Sequence, residues 1–96
     1  MIVQDRKKVR VTYVLRAHDK NGKVLDSGGH FGFHMGKGEV IEGWENGLKG
    51  MKEGGIRHII VPPKAGYGTK DIGGGAGAML YFEVTLLKCQ LSFKYY

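Results

Sequence analysis

Between Phe31 and Met51 the chain reads FGFHMGKGEVIEGWENGLKGM, and this stretch constrains the fold most, because a short strand, a glycine turn and a one-sided helix follow one another in it. At about 100° per residue, Val40, Trp44, Leu48 and Met51 fall within about 80° of one another, with Glu42, Glu45, Asn46 and Lys49 on the opposite side. Such a helix buries one face. Gly43, Gly47 and Gly50 lie beside the apolar stripe. Each glycine costs a helix roughly 1 kcal/mol relative to alanine, so close approach to another element is the expected reason for them. The pattern predicts a helix lying flat on a sheet and closed by Glu53-Gly54-Gly55.

The sheet is legible on both sides of that helix. Val9, Val11, Tyr13 and Leu15 alternate with Arg10, Thr12, Val14 and Arg16, the period of a strand with one buried face, so Tyr13 points inward. Asp19-Lys20-Asn21-Gly22-Lys23 is turn chemistry in which Asn-Gly is expected to supply positive φ, and Val24 to Ser27 then returns antiparallel. After Gly28-Gly29 a third strand is expected, with Phe31, Phe33 and Met35 on one face. A fourth, Ile56 to Val61, must stop at Pro62-Pro63, since proline has no N–H to continue a ladder. A loop of about fifteen residues carries Tyr67 before Leu80, Phe82, Val84 and Leu86 form one face of a last strand. The predicted architecture is α+β, an antiparallel sheet curled around one short helix.

Ninety-six residues make one domain with one core. The net charge of +6 favours acidic surfaces. The basic residues are scattered, however, except for Arg6-Lys7-Lys8 with Arg10, and no aromatic is interleaved with that cluster, so no nucleic-acid partner is expected. No run approaches the eighteen or so apolar residues of a membrane span, so no membrane partner is expected either. The single Cys89 excludes an internal disulfide framework, and the opening MIVQDRKKV lacks the apolar core of a signal peptide, which predicts a reducing, cytoplasmic setting.

Covalent and metal chemistry find little support. Ser27 and Cys89 stand without an adjacent base in any motif. His30 and His34 are four apart in a strand-like context, and His18 and His58 belong to other elements, so no metal is expected. Gly73-Gly74-Gly75 has no lysine-serine pair and no helix start after it, which argues against a phosphate cradle. No cofactor is expected.

FGFHMGKGEVIEGW and VPPKAGYG nevertheless resemble the two signature regions of the FKBP family of peptidyl-prolyl isomerases, and KVLDSG and AMLYFEVTLL are similar to two further family segments in the expected order. The resemblance covers Val9 to Leu87. It implies a basic N-terminal segment at 1–8, an FKBP-like domain at 9–88 and a C-terminal tail at 89–96. It also implies a monomer acting on proline-containing peptides or proteins, with tacrolimus and rapamycin as ligands. The implied pocket places Tyr13, Phe31, Phe82 and Trp44 around a proline ring, with Leu25 on the wall and Val40 and Ile41 at the helix start. Trp44, Asp26, Tyr67 and Ile41 are the implied catalytic group. Asp26 would face the amide carbonyl carbon, and Tyr67 would donate its O–H to the substrate carbonyl. The Ile41 N–H, with no acceptor inside the helix, could bond a substrate carbonyl.

Three departures from the family pattern stand beside that reading. Leu25 replaces a phenylalanine, and GGAGA (Gly73 to Gly77) replaces a run with isoleucine and two prolines, so fewer ligand contacts are expected. Eight residues precede Val9, where family members carry an extra strand; either the chain is a shortened form or the tail Gln90 to Tyr96 covers the open sheet edge. These departures also leave the alternative of a non-catalytic FKBP-like protein-binding module.

Overall fold

The computed structural model describes residues 2–4 and 7–91. Four strands form one antiparallel sheet: β1 (Lys7–Ala17), β2 (Val24–His34), β3 (Ile56–Val61) and β4 (Leu80–Leu91), in the order β2-β1-β4-β3. Among the described residues one helix, α1 (Glu42–Gly47), and a 3-10 turn (Pro63–Ala65) join the sheet in an α+β fold. The alternation in β1 and β4 sorts their residues as period 2 requires, with Val9, Val11, Leu15, Leu80, Phe82, Val84 and Leu86 all buried.

The β1–β2 turn is built differently from the sequence expectation. Positive φ falls on His18, at 71°, and neither Asn21 nor Gly22 adopts it. Asp19 forms the bend, its carboxylate accepting the Asn21 N–H at 2.8 Å. Gly22 is needed for another reason: a Cβ there would run into the Ala17 carbonyl oxygen.

The second and third expected strands are one strand. In β2 the register runs from Phe31 opposite Val11 to Gly28 opposite Tyr13, so Gly29 and His30 bulge where β1 offers only Thr12. His30 takes φ 57°, and the chain stays in the sheet instead of leaving it. A second irregularity leaves Leu25 unpaired between Asp26, opposite Leu15, and Val24, opposite Arg16.

The helix is shorter than its apolar stripe. It ends at Gly47, and the chain turns at Gly50 (φ 85°), well before the predicted stop at Glu53-Gly54-Gly55. Trp44, Leu48 and Met51 are buried all the same, because the irregular turn after α1 keeps facing the sheet. The contact is close: a Cβ on Gly43 would meet Val61 Cγ2 at 2.6 Å, and one on Gly47 would meet Ile59 Cγ2 at 3.0 Å. In β3, Ile59 and Val61 therefore face α1, while Ile56 and Ile60 stand exposed on the outer face of an edge strand.

Near the N-terminus Val3 is fully buried, its N–H bonded to the Met51 carbonyl at 2.9 Å, so this part of the basic segment anchors to the core. Lys7 and Lys8 begin β1, whereas Arg6 lies outside the described residues. Gln90 and Leu91 extend β4 opposite Lys8 and Lys7, and the rest of the expected edge cover, residues 92–96, also lies outside the described residues. Among the described residues no helix is long and apolar enough to cross a membrane.

Candidate active site

The inner face of the sheet and the start of α1 enclose an open pocket of about 420 Å³. Its floor is Trp44, the buried residue of α1. Around the indole stand Tyr13 from β1 and Phe82 from β4, each with its ring centroid 5.3 Å from that of Trp44, and Phe31 from β2 at 6.0 Å, all close to perpendicular. Edge-to-face packing of this kind fixes ring positions by matching positive ring edges to negative faces. The indole N–H of Trp44 is buried with no hydrogen-bond partner among the described residues.

The polar groups sit above that floor. Asp26 Oδ2 accepts the Tyr13 hydroxyl at 2.9 Å, and Oδ1 accepts the Ser27 N–H at 2.8 Å, so the carboxylate is held in one orientation. The Tyr13 phenol is pushed up to about 12, first by burial, then by its hydrogen bond to Asp26 and the Asp26 charge, with a smaller contribution from Tyr67. It stays protonated and donates. Tyr67, carried on the loop after the 3-10 turn, is 43% exposed at the mouth. Ile41 is the N-cap of α1 (φ −61°, ψ 154°); its carbonyl accepts the Trp44 and Glu45 N–H groups, and its own N–H lies outside the helical bonding pattern.

Eight of the nine residues expected at the site line this pocket: Tyr13, Asp26, Phe31, Val40, Ile41, Trp44, Tyr67 and Phe82. Leu25 does not. Its methyl groups sit against the glycine loop, 3.1 Å from where a Cβ of Gly73 would lie and 3.3 Å from that of Gly74. The physical reason is the irregular pairing of β2 at this residue, which leaves Leu25 packed against the core beside the loop while Asp26 takes the pocket side.

Three lining residues were not foreseen: Leu15, Gly38 and Glu39. Leu15 shares the inward face of β1 with Tyr13, so the alternation could have found it. Glu39 has no periodic signal. Its Oε1 accepts the His34 N–H at 3.0 Å and lies 3.2 Å from His34 Nδ1, while Glu45 Oε2 accepts the Gly36 N–H at 2.8 Å. The two glutamates thereby pin the turn from β2 into α1.

Among the described residues the lining contains no serine, threonine, cysteine, histidine, lysine or arginine. Among the described residues no three His, Cys, Asp or Glu side chains converge on a metal position. What the pocket offers is an apolar aromatic basin with hydrogen-bonding groups at its rim. The model of the FKBP-type peptidyl-prolyl cis-trans isomerase family matches residues 1–87. The chain belongs to that family. FKBP relatives include FK506-binding protein 4 of Mycosarcoma maydis, 49% identical over 72 residues (71% of this chain), and FK506-binding protein 3 of Candida albicans, 44% identical over 84 residues (83% of this chain). Peptidyl-prolyl cis-trans isomerase FKBP53 of Arabidopsis thaliana is 40% identical over 89 residues, 88% of this chain. The matches span 19%, 19% and 18% of those three proteins, so this FKBP chain corresponds to under a fifth of each.

Proposed function

We propose that this FKBP domain catalyses cis–trans isomerisation of Xaa-Pro peptide bonds without a covalent intermediate. The observation that carries the reading is the Trp44-floored basin, ringed by Tyr13, Phe31 and Phe82 and open to solvent at Tyr67. A planar amide resists rotation by about 18–20 kcal/mol because resonance gives its C–N bond partial double-bond character. That resonance puts negative charge on oxygen, which water stabilises. A proline ring seated in the basin carries the amide out of water, which disfavours the planar form relative to the twisted one.

In this reading the Tyr67 hydroxyl and the Ile41 N–H hold neighbouring carbonyls of the substrate backbone, the carbonyl of the rotating amide stays out of water, and Asp26 faces its carbonyl carbon. Each 1.36 kcal/mol of preferential stabilisation of the twisted state is about tenfold in rate. The reading extends to tacrolimus and rapamycin as competing ligands. Weak binding is proposed for them, because the Gly73 to Gly77 loop stands apart from the lining residues and leaves few contacts beyond the basin.

Two-dimensional exchange NMR on short Xaa-Pro peptides tests the activity directly. Accelerated exchange that tacrolimus suppresses is expected; exchange equal to buffer, from protein shown to be folded by its amide spectrum, overturns the reading.

A further inference from the structure

The chain has 15 Lys and Arg against 9 Asp and Glu, yet among the described residues its pocket is lined by two carboxylates, Asp26 and Glu39, and by no cationic side chain. The sheet produces this sorting. With Val9, Val11 and Leu15 turned to the core, Lys8, Arg10 and Arg16 stand on the outer face, where Arg10 pairs across from Lys88. The pocket opens on the other side. Residues 38–41, which lead from β2 into α1 and line it, contain Glu39 and neither lysine nor arginine, while Lys37 and Lys49 flank this wall outside the lining. Both lining carboxylates are fixed in place, Asp26 by the Tyr13 hydroxyl and the Ser27 N–H, Glu39 by the His34 N–H and ring.

Resting on the isomerase reading, we propose that this site selects prolyl bonds flanked by lysine or arginine over those flanked by aspartate or glutamate. Two fields compete for a charged peptide. The whole chain, at +6, attracts acidic peptides from a distance. At physiological salt the Debye length is about 8 Å, so charges on the outer face are screened from a peptide seated in the pocket. The lining carboxylates act at contact range, where one unit charge in a mostly aqueous environment shifts kcat/KM by roughly threefold to tenfold. The local sign therefore decides.

The experiment compares kcat/KM for three peptides that differ only in the residue before proline (leucine, lysine or glutamate), at low and at high salt, with a second set varied after proline. In at least one set the lysine peptide is expected to exceed the glutamate peptide by roughly threefold to tenfold at low salt, with the gap closing at high salt. Glu39→Gln, checked for folding by its amide spectrum, should shrink that gap. The leucine peptide separates the two claims: if folded protein turns over none of the peptides, the isomerase reading fails. If leucine is turned over while lysine and glutamate are equal or glutamate leads in both sets, the selectivity proposal alone is overturned. A gap that salt does not change, or that folded Glu39→Gln leaves intact, overturns it as well.

Discussion

Asp26 and Tyr13 form a side-chain hydrogen bond that joins two of the pocket's lining residues through their polar tips, 2.9 Å apart, and it distinguishes chemistry from packing at this site. If Tyr67 donates to a backbone carbonyl of the substrate and Asp26 shapes the field around the amide, Tyr67→Phe and Asp26→Asn should each lower kcat/KM by about threefold to tenfold, the worth of one hydrogen bond. Thermal unfolding measured on the same samples should barely move, because both residues are exposed. Tyr13 behaves differently. Its folded value of about 12 lies above the ordinary 10.0, so folding favours the protonated phenol. The stability this contributes is whole below about pH 10 and is lost as pH rises from there toward 12. The melting temperature should fall across that window, and fall less steeply in Tyr13→Phe. Solvent screening of the half-buried ring keeps the difference small.

At the scale of elements, the seat of α1 on β3 sets the depth of the pocket. Gly43→Ala places a methyl group 2.6 Å from Val61 Cγ2, which forces the helix away from the sheet. An overpacked contact of this kind costs about 1–3 kcal/mol, and because Trp44 is the next residue, kcat/KM should fall together with the melting temperature. Trp44→Ala should cost more, about 3–5 kcal/mol in chemical denaturation, and abolish activity. Leu25→Phe tests the bulge in β2. Were Leu25 on the pocket wall, the added ring would tighten macrolide binding; packed against Gly73 and Gly74, it should instead lower the melting temperature and leave the calorimetric affinity unimproved.

For the whole molecule, β1 and β4 are central and β2 and β3 are edges, so amide exchange should be slowest in Val9 to Leu15 and Leu80 to Leu86 and fast in the loop 62–79. Slow exchange throughout that loop would contradict this order. The sequence alone determined which faces are apolar: the period-2 alternation of β1 and β4 and the Trp44, Leu48, Met51 stripe are local patterns that must be buried somewhere, and they brought Tyr13, Trp44 and Phe82 together. It also marked Gly43 and Gly47 as points of close approach, since a helix keeps such residues only where it needs them. Where positive φ falls in the β1–β2 turn, where α1 stops and how the chain crosses Gly28 to His30 were settled by tertiary structure, because each depends on whether a backbone group finds its partner in the sheet or in the helix. The same holds for Leu25 and Glu39. One is carried off the wall by irregular pairing in β2 and the other is brought to it by the His34 N–H, and a register or a hydrogen bond between elements leaves no period in the sequence to read.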